Sequence, residues 1–291
     1  MPTTHAPPTS VSASDGLALF LQFWQTRGVP RGTVLIVHGL GEHIWRYAHV
    51  AAHLSASGWD VVGYDQRGHG ATGGKRGSIP RADSLLDDLD RVVAAVRPLG
   101  QREAADPPPN SRAPLVLLGH SMGGHVAASY VLRHPDAVDA LVLSSPALDA
   151  ALSLAQRVQL AVGVALVPDL PMNNQLDATK ISHDPAVVRA YLDDPLVHDR
   201  VTARLAKSIL DGGAAVRAAA AQWRVPTLLL WAGDDHLVSP RGSAAFAAAA
   251  PPAVVRAQRF DGLYHEIFNE RDATPVFAAL DAWLERFPPR A

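Results

Sequence analysis

No cysteine occurs anywhere in the 291 residues. That absence excludes a disulfide framework, a thiol nucleophile and a thiolate metal site. An excess of charge of one sign is missing too. Lys and Arg number 26 against 28 Asp and Glu, a net charge of −2, and no basic stripe is visible, so nucleic acid is not an expected partner. Long hydrophobic runs are also lacking. Leu17–Leu21 and Leu160–Val167 are apolar, but both fall far short of the about 20 residues that cross a bilayer. Residues 1–14 are rich in Pro, Thr and Ser and have neither the basic start nor the apolar centre of a signal peptide. The expectation is a soluble cytoplasmic protein with a flexible tail over residues 1–14.

What is present describes a globular chain. Hydrophobic residues make up 48% and charged residues 19%, enough apolar surface for a large core. Strand-like and helix-like stretches alternate. Thr33–Val37, Asp60–Tyr64, Leu115–Leu118, Leu141–Leu143, Thr227–Trp231 and Val254–Ala257 are short apolar runs. Tyr47–Leu54, Ser84–Val96 and Phe277–Phe287 carry helical spacing between them, and Asp106–Asn110 reads as a surface loop. Buried runs separated by helices predict a mostly parallel sheet covered on both faces, an α/β fold. The rhythm breaks over residues 147–222, where no strand is apparent and Asp184–Pro185 opens a helix. An all-helical insertion there would sit as a cap over the strand C-termini. The core would then comprise residues 15–146 and 223–291.

The chemistry centres on Ser121, in Gly119-His120-Ser121-Met122-Gly123. An apolar run enters this G-x-S-x-G and a helical stretch leaves it, the context of a nucleophile elbow. A serine hydroxyl needs a base, and the base needs an orienting carboxylate. In elbow-type hydrolases the chain order is Ser, acid, His. The acid candidate is Asp235, after the run Thr227–Trp231, with Asp234 as its competitor. The base candidate is His265, alone among 13 histidines in the loop after the last strand. His236 reads as a surface residue and His120 as locally packed. An H-E-x-x-H zinc motif fails because Asn269 stands four positions after His265. Two backbone amides should hold a developing oxyanion. Met122 supplies one, and Leu40, after the run Thr33–Val37, the other.

Together the motifs resemble the α/β-hydrolase superfamily, and more narrowly its monoacylglycerol lipase and lysophospholipase branch. HGLGEHIWRY (His38–Tyr47), YDQRGHGATGGKRG (Tyr64–Gly77), GHSMGG (Gly119–Gly124), DPLVHDRVTARL (Asp194–Leu205) and YHEIFNE (Tyr264–Glu270) carry the likeness. It runs from about Gly16 to Phe287. The resemblance implies a sheet of about eight strands with a helical cap inserted after the sixth. It implies hydrolysis of a fatty-acyl ester of glycerol by Ser121, Asp235 and His265, with Leu40 and Met122 as oxyanion donors and no cofactor or metal. The chain departs from the pattern at Thr72, where serine is common, and over Leu148–Asn174, which leaves acyl-length preference open. Glu42, His43 and Arg46 either bind the substrate head or fix the oxyanion loop, and the second reading is preferred. Leu160–Val167 is a candidate lid that either brushes a micelle or membrane surface or packs on the core.

Three other readings compete. Gly68-x-Gly70-x-x-Gly73 matches a dinucleotide fingerprint, but no helix opens after it, so a Rossmann oxidoreductase is rejected. A broad carboxylesterase on short or aromatic esters is the nearer alternative. A non-catalytic binding protein on the same fold is the third.

Overall fold

The computed structural model describes residues 9–99, 113–150 and 152–288. The loop expected at Asp106–Asn110 lies outside them. In chain order the strands are β1 (Ser10–Ser12), β2 (Ala18–Trp24), β3 (Thr33–Val37), β4 (Asp60–Tyr64), β5 (Leu115–His120), β6 (Ala140–Ser144), β7 (Met172–Asn173), β8 (Arg200–Val201), β9 (Thr227–Ala232) and β10 (Val255–Phe260). The α-helices are α1 (Ala48–Ala56), α2 (Ser84–Val96), α3 (Met122–Arg133), α4 (Leu154–Leu166), α5 (Pro185–Asp193), α6 (Ala203–Ala218), α7 (Pro240–Ala249) and α8 (Thr274–Leu284). Eight strands form one sheet in the order β1-β2-β4-β3-β5-β6-β9-β10. From β4 to β10 every pairing is parallel, while β1–β2 and β2–β4 are antiparallel.

Strands β3, β5, β6 and β9 are buried at every residue. A parallel strand covered on both faces has no reason to alternate polar and apolar residues, which explains their continuous apolar sequence. Successive side chains still point to opposite faces. Val34 and Ile36 join the cluster under α1 and α8, while Leu35 and Val37 join the one under α2, α3 and α7. The chain leaves β3 toward β4 on one side and returns to β5 on the other. That reversal opens a crevice at the carboxyl ends of β3 and β5, where ligands bind in open α/β sheets.

The structure corrects two expectations. The flexible tail placed over residues 1–14 does not hold at Ser10–Ser12, which form β1 and pair with Ala18–Phe20 of β2. Residues 1–8 lie outside the described part. The insertion between β6 and β9 is not purely helical, because β7 and β8 pair antiparallel through Met172↔Val201 and Asn173↔Arg200. A two-residue pair has no period to read in a sequence. The insertion does follow the sixth strand. Within it α4 and α5 bury no residue, whereas Leu205 and Val216 of α6 pack into the same cluster as α3. No described helix is long and apolar enough to cross a membrane.

Candidate active site

Ser121 sits between β5 and α3 with φ 53° and ψ −120°. A non-glycine residue there stores about 1–3 kcal/mol of strain. The turn is tight enough that a Cβ on Gly119 would lie 2.5 Å from the Gly123 carbonyl oxygen, and one on Gly123 would strike the Val37 and His38 carbonyls. The elbow is stitched to the end of β6. Ser121 N donates to Ser144 O at 3.0 Å, and Ala147 N donates to Ser121 O at 2.9 Å. Although Ser121 occupies the N-cap position, its hydroxyl makes no capping bond. It is left facing a cavity.

The loop after β9 brings Asp235 to His265. Asp235 Oδ2 accepts from His265 Nδ1 at 2.7 Å. Its Oδ1 accepts from the amides of Leu237 and Val238 at 2.9 and 3.0 Å. Burial would raise the carboxyl pKa, but the His265 charge and these hydrogen bonds outweigh it and the net shift is downward. Burial likewise opposes a charged His265, yet Asp235, with Glu266 and Glu42 behind it, moves its pKa above the ordinary histidine value. With Nδ1–H committed to Asp235, the neutral ring leaves Nε2 free as a base. The competitor Asp234 is exposed and lies 3.2 Å from His236 instead.

His265 stands beside the elbow, its ring centroid 4.7 Å from that of His120. His120 is buried and bonds Ser144 Oγ at 3.1 Å. Burial first, then the neighbouring His265, depress its pKa to about 4, so it stays neutral at pH 7.

The segment after β3 reaches Ser121 from the other side. A Cβ on Gly39 would lie 3.2 Å from Ser121 Cβ. Among the described residues the Leu40 N–H has no hydrogen-bond acceptor. Met122 is the first residue of α3, so its N–H has no acceptor within the helix either. Both residues line the cavity that holds Ser121. Glu42 and Arg46 do not line it. Glu42 Oε1 accepts from the Gly39 amide at 2.5 Å and the Tyr47 hydroxyl at 2.7 Å, while Oε2 accepts from Arg46 at 2.6 Å. Burial alone would push Glu42 up, but the Arg46 guanidinium and the surrounding donors bring it to about 2. His43 reaches the cap, its Nε2 lying 2.8 Å from Asp194 Oδ2. Glu266, which takes both terminal nitrogens of Arg46, was not singled out from the sequence. Its place next to His265 in YHEIFNE was the available signal.

A cavity of about 440 Å³ opens over Ser121. Leu40 and Met122 bound it below, Leu160 and Ile209 from the cap above, and Leu237 and Val238 at the side. Such a lining suits an acyl chain. Among the described residues no cluster of three or more His, Asp or Glu is placed to hold a metal. The Gly68–Gly73 loop opens no helix, since the next helix begins at Ser84. Thr72 Oγ1 donates to Asp65 O at 2.6 Å and accepts from Phe20 N at 2.8 Å, bonds a serine hydroxyl could equally make.

Residues 28–272 match the family model described as serine aminopeptidase, S33. The chain is 35% identical over 279 residues to a monoacylglycerol lipase of Mycolicibacterium smegmatis, covering 94% of this chain and 95% of that one. It is 29% identical over 263 residues to phospholipase YtpA of Bacillus subtilis, covering 89% and 96%. The crystal structure of Paleococcus ferrophilus monoacylglycerol lipase superposes with a TM-score of 0.80 at 31% identity, over 92% of this chain and 99% of that one. A strained serine at a β5–α3 elbow, a carboxylate–histidine pair at the next loops and a match over most of the length all lead to one assignment: the chain belongs to the α/β-hydrolase family described as serine aminopeptidase, S33.

Proposed function

We propose that this hydrolase cleaves the acyl ester of a monoacylglycerol or lysophospholipid through an acyl-enzyme on Ser121. The observation that carries the reading is a largely apolar cavity over a strained, uncapped serine with a histidine–aspartate pair beside it. Similarity to proteins named monoacylglycerol lipase and phospholipase supports the same substrate class.

In this mechanism His265 Nε2 takes the Ser121 proton as Oγ attacks the ester carbonyl. The Leu40 and Met122 amides receive the oxyanion. Protonated His265 then gives its proton to the departing glycerol oxygen. Water, deprotonated by the same ring, releases the fatty acid. Asp235 holds the ring tautomer and stabilises its cation. Glu42 and Arg46 fix the oxyanion loop, because their polar atoms are already engaged within the protein.

The outer stripe of α4 is assigned to contact with a lipid surface. Leu154, Val158, Val162 and Leu166 follow one another at i+4 spacing, and Leu154 and Leu166 are 78% and 74% exposed. The inner side of the same helix supplies Leu160 to the cavity.

The test is labelling by a fluorophosphonate, together with a panel of monoacylglycerols of increasing acyl length against short p-nitrophenyl esters. Wild type is labelled and prefers monoacylglycerol, while Ser121→Ala loses the label and at least about a thousandfold in kcat. Preference for the short aromatic esters would make the protein a broad carboxylesterase. Absence of labelling would make it a binding protein on this fold.

A further inference from the structure

Glu266 follows His265 directly, yet it does not line the cavity over Ser121. Both of its oxygens are engaged. Oε1 accepts from Arg46 Nη1 at 2.7 Å, and Oε2 accepts from Arg46 Nη2 and from Asn269 Nδ2, each at 2.7 Å. Arg46 Nη1 also donates to Glu42 Oε2, and Glu42 Oε1 accepts the Gly39 amide. An unbroken polar path therefore joins the residue after His265 to the residue before Leu40. All three side chains are 10% exposed or less.

We infer that Glu266 is a positioning residue: through Arg46 and Glu42 it fixes the His265 loop against the oxyanion loop, so that base and amide donors keep one separation during the reaction. The inference rests on the roles proposed above for Ser121, His265 and Leu40. First, taking ions out of water is expensive, and well-packed apolar residues often give equal or better stability. A buried carboxylate–guanidinium–carboxylate bridge is thus poor value as a mere brace, but its planar bidentate geometry fixes direction as well as distance. Second, the bridge also meets the cap. Arg46 also lies over the Tyr191 ring of α5 at 4.7 Å, and Glu266 N donates to Ile181 O of the cap at 2.8 Å.

The bridge also carries charge. Two carboxylates share one guanidinium, leaving one negative charge near His265. The other groups facing that ring are Asp235 from the β9 loop and His120 from β5. Lys180 and His183 of the cap sit one residue away, against the Tyr264 ring. Removing the Glu266 charge withdraws support from the imidazolium that forms as Ser121 attacks.

Glu266→Gln tests this, since it keeps the shape and leaves Arg46 paired with Glu42. On a soluble short ester kcat should fall about tenfold to a hundredfold, the scale of a small misplacement of reacting groups. KM should stay near wild type, and the acid limb of kcat/KM should move to lower pH. Arg46→Lys, which keeps the charge but loses the fork, should lower kcat and leave the acid limb in place. If Glu266→Gln does not accumulate as folded protein, Asn269→Ala removes one donor to the same carboxylate and should give a smaller loss of kcat at unchanged KM. Wild-type kcat and acid limb in folded Glu266→Gln overturn the inference, as does a loss confined to KM. Wild type that no fluorophosphonate labels would remove the hydrolase mechanism itself, and this inference with it. A labelled wild type beside an unaffected Glu266→Gln removes this inference alone.

Discussion

Two neighbouring aspartates at the end of β9 meet different surroundings. Asp235 is buried against His265, and Asp234 is exposed beside His236. Asp235→Asn should therefore cut kcat by about 10⁴, the scale seen when a triad histidine is left in the wrong tautomer, and Asp234→Asn should leave it within about twofold. Steady-state kinetics on a soluble ester separates the two. The pH profile has a definite sign. The proposed mechanism requires neutral His265, and its pKa is raised, so kcat/KM should be lost as pH falls through a midpoint above the ordinary histidine value of about 6.5. A midpoint at or below that value would contradict the Asp235–His265 pairing as the source of the base. The Asp235–His265 pairing was legible in the sequence because each residue occupies a fixed place in a known chain order. The Glu266 ion pair was not, because its partner Arg46 lies 220 positions earlier in the chain.

Among the elements, α4 is the most lopsided. It has a capping box of Ser153 and Gln156 at its start and no buried residue along its length. It is locally well made and weakly held by the core. Val158→Asp or Leu166→Asp should accordingly weaken action on micellar monoacylglycerol and spare soluble short esters, read by comparing the two substrates on the same preparations. Equal loss on both would assign the stripe to folding. The central strands were legible because continuous burial writes a continuous apolar run. β2 was not read as a strand, because its burial is uneven along an antiparallel strand near the sheet edge. The β7–β8 pair was invisible, being held by two residues on each side. Gly41 is another place where an element depends on backbone freedom. Its φ is 79°, and a Cβ there would run into the His198 carbonyl of the cap. Gly41→Ala should lower both melting temperature and kcat, since the same loop carries Leu40.

For the whole molecule, acid is the natural stress. His120 and His125 are buried neutral, with pKa values pushed by burial to about 4. In the unfolded chain they bind protons near pH 6.5, so between about 6.5 and 4 the unfolded state holds more protons and stability falls as pH falls. The slope should approach about 1.4 kcal/mol per pH unit for each such histidine. His265 has the opposite sign: its raised pKa adds stability below about 6.5 that is lost as pH rises through the folded value. Urea denaturation across pH 4 to 7 tests the sum, and a stability flat over that range would contradict the burial of the two histidines.

Among the described residues the insertion is basted to the core at five main-chain points: Ala147 N to Ser121 O, Ser239 N to Asp149 O, Glu266 N to Ile181 O, His198 N to Gly41 O and Thr202 N to Gly77 O. The stretch from Leu152 to Asn174, which includes α4, carries none of these bonds. Substitutions there can reshape the cavity wall, through Gln156, Leu160 or Asn174, while the seams hold the elbow and its neighbouring loops in register.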